Sequence, residues 1–234
     1  MFFKNKLLPS FLLILLMGIL YFYNNNNNNK IYFKIKTITI DSKIINADKK
    51  YIFEYAEKYL DKKSFFNFNI NILKKELEKI EWIKSVNVRR VYPNEVKLSI
   101  EEHRPVAIWN NINYLNDSGK MFFVNKISKD LPRLNSNYNR SDVLFEYFSL
   151  FSTNLLKNKI NAKIVEINEN DIKSLSILLS SDISVKFGSK DVGNKIIMFF
   201  KIYKALNARL NTSDLKKIRY IDMRYSNGFS IGWK

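Results

Sequence analysis

The chain opens on an apolar run with no polar period. Leu7 to Tyr23 carries no charge, with Lys4 and Lys6 before it and Asn24 after it. A helix over this run would be roughly 25 Å long, just under the roughly 30 Å of a bilayer core. The pattern predicts a single transmembrane helix over 7–23, with Tyr21, Phe22 and Tyr23 as an interfacial belt. The two lysines then hold a short tail, 1–6, in the cytoplasm. A cleaved signal peptide would need small residues just past the apolar core. Tyr21-Phe22-Tyr23-Asn24 stands there instead, so an uncleaved anchor is expected. Asn24 to Asn29 is an unbroken asparagine tract, read as a solvated spacer within a linker at 24–33.

Beyond the linker the period changes twice. Lys34 to Ile40 alternates polar and apolar residues and is rich in Ile and Thr, which predicts a strand. Ile52, Tyr55, Ala56, Tyr59 and Leu60 recur at helical spacing behind Asp48, a plausible N-cap. Ile70, Leu73, Leu77 and Ile80 form the stripe of a second helix whose other face carries Lys and Glu. Two alternating strands follow, through Val86 and Val88 and through Val96, Leu98 and Ile100, with a turn at Tyr92-Pro93-Asn94-Glu95. The order β-α-α-β-β is satisfied by a three-stranded sheet with two helices on one face, a module expected over 34–104.

A second module is expected over 105–234. Asn113 to Phe122 reads as strand, Asp-Ser-Gly turn, strand. Val143, Tyr147, Leu150 and Phe151 make a helical stripe. Strands are expected at 163–167, 174–179 and 183–187, then a helix at 192–210 with Ile196, Phe199, Phe200, Tyr203 and Leu206 on one face. Two final strands, 218–225 and 229–233, are expected to join through Asn227-Gly228, a strong signal for a two-residue type I′ hairpin. The fold class is therefore α+β: a transmembrane helix, the β-α-α-β-β module, and a mixed β-sheet domain with helices.

Composition adds exclusions. Apolar residues make up 46% of the chain, enough for packed cores, and there is no cysteine, which removes disulfides and thiolate chemistry. The net charge is +17, which would suit nucleic acid or an anionic membrane. The lysines are scattered, and Lys, Asn, Ile, Phe and Tyr are over-used together, as AT-rich codons produce, so nucleic acid is not the expected partner. His103 is the one histidine, which excludes a two-histidine metal site; it is expected at the surface. Glu101 and Glu102 are strand neighbours pointing to opposite faces, so they cannot share a substrate. No G-x-G-x-x-G or Walker pattern occurs. No catalytic residue, cofactor or metal is expected.

Three stretches carry a resemblance. Trp82 to Leu98 is similar to the second half of a POTRA domain. Glu102-His103-Arg104-Pro105-Val106-Ala107-Ile108-Trp109 has the E-x-x-P-x-A-x-W form that joins POTRA to the next domain in the FtsQ/DivIB family. Tyr220 to Trp233 resembles that family's C-terminal hairpin. The resemblance implies a bacterial division scaffold without catalysis, single-pass in the inner membrane, with its folded domains in the periplasm at the septum. It also implies FtsB and FtsL as partners, FtsB being received at the C-terminal hairpin.

Carried over by position, Tyr225 and Trp233 are the implied aromatic contacts, and Arg224 the residue that meets an acidic partner group. Gly228 and Gly232 are implied sites of close backbone approach, while Asn227 stands where serine is more usual. A last strand near a chain terminus tends to lie at a sheet edge, open to a partner strand. The alternative, a POTRA-containing secretion or envelope-assembly membrane protein, calls for several POTRA modules or a run of barrel strands, and the sequence shows neither.

Overall fold

The computed structural model of the protein describes residues 7–26, 33–125, 130–225 and 228–234. The predicted tail at 1–6, most of the linker at 24–33, and Asn227 lie outside the described residues. The apolar run forms α1 (Leu7–Asn26), with Pro9 in the first turn, where a missing N–H costs no helical bond. Side chains are described from Leu12 to Tyr23, and each large apolar one is more than half exposed. Among the described residues no helix is long and apolar enough to cross a membrane. The described side chains of α1 cover about 18 Å of helix.

The chain divides into two compact units, the first ending at Glu101 and the second beginning at Glu102. In the first, β1 (Thr37–Ile40), α2 (Lys49–Leu60), α3 (Ile70–Leu77), β2 (Ile83–Val91) and β3 (Glu95–Glu102) follow in order. The sheet order is β1-β3-β2, and β1 runs parallel to β3, Thr37 beside Glu95 and Ile40 beside Leu98. Asp48 caps α2 by accepting from the N–H groups of Lys50 and Tyr51, and Asn69 caps α3 in the same way. Such side chains serve N–H groups that have no partner within the helix. Ile52, Ala56 and Leu60 of α2 and Leu73 and Leu77 of α3 are buried with Val86, Val88, Val96, Leu98 and Ile100 of the strands. Each large side chain so buried contributes roughly 1.5–3 kcal/mol. The helical and strand periods read from the sequence thus meet in one core.

The second unit is built on a nine-stranded sheet. Its elements are β4 (Pro105–Trp109), β5 (Asn113–Asn116), β6 (Met121–Phe122), β7 (Arg133–Ser136), α4 (Ser141–Lys157), β8 (Ile164–Glu169), β9 (Leu175–Leu179), β10 (Ser184–Gly188), α5 (Val192–Arg209), α6 (Thr212–Lys216), β11 (Ile218–Asp222) and β12 (Ser230–Trp233). The order across the sheet is β12-β11-β10-β9-β8-β7-β4-β5-β6. Most neighbours are antiparallel, but β4–β7, β7–β8 and β10–β11 are parallel. A parallel pair needs a crossover: α4 lies in that of β7–β8 and α5 in that of β10–β11, while β5 and β6 lie between β4 and β7. Their aromatic stripes meet: Phe151 lies 5.4 Å from Phe199 and 4.8 Å from Phe200, ring centre to ring centre. The turn after β5 is set by Asn116, whose Oδ1 accepts from the N–H groups of Ser118 and Lys120. Gly119 there takes a φ of +75°, a conformation that suits glycine.

Several expectations are corrected. Pro105–Trp109, read only as a joining passage, is a strand, and β7 and α6 had no counterpart in the sequence reading. The expected turn falls on Asn227, outside the described residues, and the strands that lead to it are shorter than expected: β11 stops at Asp222, which pairs with Ser230, and Met223–Phe229 connect the two. The cause is local. The Asp222 carboxylate accepts from the Arg224 N–H at 3.0 Å, and the Met223 N–H donates to the Lys186 carbonyl on β10 at 2.7 Å. An aspartate that captures an N–H two residues on offers the backbone a turn in place of the ladder.

His103 is also misplaced by the sequence reading. It is 8% exposed, its ring stacked at 4.2 Å on Phe122. Its Nδ1 accepts from the Asn116 amide at 3.0 Å. Residues from β5 and β6 cover it, and no local pattern announces that contact.

Candidate partner-binding edge

β12 is the last strand of the sheet and has a neighbour on one side only. It pairs antiparallel with β11 through Ile231 opposite Ile221, Gly232 opposite Tyr220 and Trp233 opposite Ile218. The Lys234 N–H donates to the Lys217 carbonyl at 2.7 Å. Along a strand successive backbone groups alternate in direction, so Ile231 and Trp233 turn their N–H and C=O away from β11. Trp233 is 50% exposed, and Tyr225, in the connection before β12, is 57% exposed. The edge therefore carries open backbone groups with two large aromatic side chains near it.

The sequence-selected residues fall into distinct situations. Arg224 faces its own chain: its guanidinium holds the Asp222 carboxylate through Nε at 2.9 and 3.0 Å and a terminal nitrogen at 2.6 Å. Asp222 is buried, and these bonds hold its carboxyl below its ordinary pKa against the opposing effect of burial. The Arg224 side chain still keeps 55% of its surface in water. Gly232 lies so close to the Tyr220 ring that a Cβ there would overlap it. Gly228 has nothing within 4 Å of the place a Cβ would take. So the structure brings Arg224, Tyr225, Gly228, Gly232 and Trp233 to one end of the sheet, and close approach within the chain holds for Gly232 alone of the two glycines. Lys195, which the sequence reading passed over, reaches the carbonyls of Phe187 and Arg224 at 3.2 and 3.3 Å and ties α5 to the connection. A single lysine on a helix gives no sequence signal for that role.

At the carboxyl ends of β4, β7 and β8 lies a polar cleft of about 560 Å³, lined by Asn110, Asn135, Ser136, Asn168, Glu169 and Asp171 among others. Its buried carboxylate, Glu169, accepts from Ser136 Oγ at 2.7 Å and from Arg140 at 2.8 Å. The Asn110 side chain bridges to the Ser136 backbone in both directions. These bonds fasten the strand ends to one another. Among the described residues no three His, Cys, Asp or Glu side chains gather to hold a metal ion.

A small helix-backed sheet followed by a large mixed sheet with an open last strand defines a POTRA-bearing interaction protein. The family model "POTRA domain, FtsQ-type" matches residues 33–103, and "Cell division protein FtsQ/DivIB, C-terminal" matches residues 107–224. The chain belongs to the FtsQ/DivIB family of cell division proteins. It is 28% identical over 173 residues to the cell division protein FtsQ of Coxiella burnetii, covering 73% of this chain and 68% of that one. It is 31% identical over 173 residues to that of Haemophilus influenzae, covering 73% and 66%. With that of Escherichia coli the identity is 28% over 174 residues, covering 73% and 62%. The C-terminal family match ends at Arg224, so Tyr225 and β12 lie beyond it.

Proposed function

We propose that this chain is a non-enzymatic scaffold of the division machinery. In this reading it receives FtsB, and with it FtsL, at the β12 edge, linking early and late division proteins at the septum. The observation that carries the proposal is the open edge of β12 with Trp233 exposed beside it, in a chain of a division-protein family. A partner strand added there gains main-chain hydrogen bonds, and Tyr225 and Trp233 supply the large contact area typical of interface hot spots. Arg224 is held by Asp222 yet half-exposed, so it can offer its outer nitrogens to an acidic group without rearranging.

The same proposal takes α1 as a single-pass anchor in the inner membrane, with both folded units on the periplasmic side. Its support is the charge-free run Leu7–Tyr23 and the solvent exposure of the apolar side chains from Leu12 to Phe22. An apolar helix with no polar face calls for an apolar surrounding.

The test is binding of the detergent-solubilised full chain to the same organism's FtsB periplasmic segment, with and without Trp233→Ala. A loss of at least about tenfold with unchanged melting fits an exposed hot-spot residue. A folded wild-type chain that does not bind overturns the assignment.

A further inference from the structure

The first unit has two ends, and they differ. At one end β1 begins next to the β2–β3 turn: the Lys36 N–H donates to the Asn94 carbonyl at 2.9 Å, and Thr37 pairs with Glu95. The segment between α2 and α3 is tied to the same end. Arg90, next to the last residue of β2, donates to the carbonyls of Phe65 and Phe68 at 2.7 and 2.6 Å, and the Phe65 N–H donates to the Phe33 carbonyl at 2.8 Å.

Large apolar side chains stand in solvent at this end. Phe33 and Phe66 are both 60% exposed and meet edge to face at 5.2 Å, and Tyr92 in the turn is 77% exposed. Lys34 and Lys62 near them in the chain are also exposed, and so are Glu57 and Asp61, which line one cleft with Lys34. Nothing in the unit's own core needs these rings outside. The opposite end of the sheet, by contrast, carries the charged pair of Lys84 with Glu101.

The chain itself says what lies near this end. Phe33 follows Asn26, the last residue of α1, by seven steps, which can span at most about 25 Å. The aromatic-rich end of α1, Tyr21 to Tyr23, is the one from which those steps start.

We propose that this end of the POTRA unit docks on the bilayer surface, with Phe33, Phe66 and Tyr92 entering the headgroup region and Lys34 and Lys62 facing anionic lipid. The inference rests on the reading of α1 as an anchor. Aromatic rings prefer the membrane interface, and basic side chains gain from anionic headgroups. Because the tether already holds the unit near the membrane, a few weak contacts suffice to orient it. Docking would fix the direction in which the unit presents its far end to division proteins.

The chain has no cysteine, so single labels can be placed cleanly. The full chain carrying Asn67→Cys, beside Phe66, or Lys43→Cys, past the other end of β1, is spin-labelled and put into nanodiscs of phosphatidylcholine with a quarter phosphatidylglycerol. Collision with oxygen and with a water-soluble nickel complex reads the depth of each label. The expected result is headgroup depth at Asn67 and bulk water at Lys43. Combining Phe33→Ser, Phe66→Ser and Tyr92→Ser should return the Asn67 label to water without changing the melting temperature.

A chain retained in the discs with both labels equally water-accessible overturns the docking and leaves the anchor standing. A chain that is not retained overturns the anchor reading, and the docking with it. Spin–spin broadening at Asn67 that disappears on dilution with unlabelled chain would mean that a second copy covers the rings, which also overturns it.

Discussion

The guanidinium of Arg224 reaches back two residues and closes on the buried carboxylate of Asp222, which at the same time accepts the Arg224 backbone N–H. One pair thus ends β11, shapes the connection to β12 and sets how much of Arg224 remains for a partner.

That pair makes stability depend on pH. Arg224 depresses the Asp222 pKa, so the stabilisation is present above the unfolded carboxylate value of about 3.9 and is lost as pH falls through the lower folded value. Arg224 is half-exposed, so the effect is discounted for water: Asp222→Asn is expected to cost about 1–2 kcal/mol at pH 7. The gap between variant and wild type should narrow below about pH 4, as the wild-type carboxyl takes up a proton. Urea unfolding at pH 7 and at pH 3 measures it, and an equal gap at both would refute the linkage.

Gly232 and Gly228 should respond differently to alanine. A Cβ at Gly232 meets the Tyr220 ring, so Gly232→Ala must shift β12 or the ring, at roughly 1–3 kcal/mol. Around Gly228 there is open space, and Gly228→Ala should leave melting within experimental error. Amide exchange of β11 and β12 should quicken in the first variant and not in the second.

The aromatic contact of α4 with α5 is expected to dominate the second unit's core. Phe151 is fully buried and touches Phe187, Phe199 and Phe200. Phe151→Ala should cost about 3–5 kcal/mol, and Phe151→Leu less, because less volume is left empty. Chemical denaturation of the three proteins would rank them, and a small loss for alanine would mean the core can collapse around the gap.

Arg90 should not tolerate lysine. Its guanidinium serves two carbonyls and lies 4.3 Å from the Phe68 ring centre, a geometry a single ammonium cannot copy. Arg90→Lys is expected to lose about 1–2 kcal/mol. Amide exchange should speed up at 64–69 first, and uniform protection across that segment would count against it.

The relation of sequence to structure differs between the two units. In the first, each decisive contact repeats a local period. Ile52, Ala56 and Leu60 are one helical stripe, Val86 and Val88 one strand face, and Asp48 an N-cap visible three residues before Tyr51. Neighbours along the chain dictate such features, so a linear reading reaches them. The helices at 141–157 and 192–209 were legible for the same reason.

Tertiary structure alone decided the rest. β7 is four residues with a weak pattern, and it exists because β4 and β8 flank it on both sides with parallel partners. Asn227-Gly228 carried the strongest local hairpin signal, yet the link from Met223 to Lys186 and the grip of Asp222 on Arg224 ended β11 first. His103 reads as exposed until Phe122 and Asn116 of the following hairpin fold over it, a contact between side chains that the spacing of residues does not announce. The sequence by itself determined most of the elements, the Asp48 cap and the residues able to fill a core, because these depend on spacing of a few residues. Where β7 inserts, what covers His103 and where β11 ends depended on contacts between segments far apart in sequence, and those exist only once the sheet has closed its order.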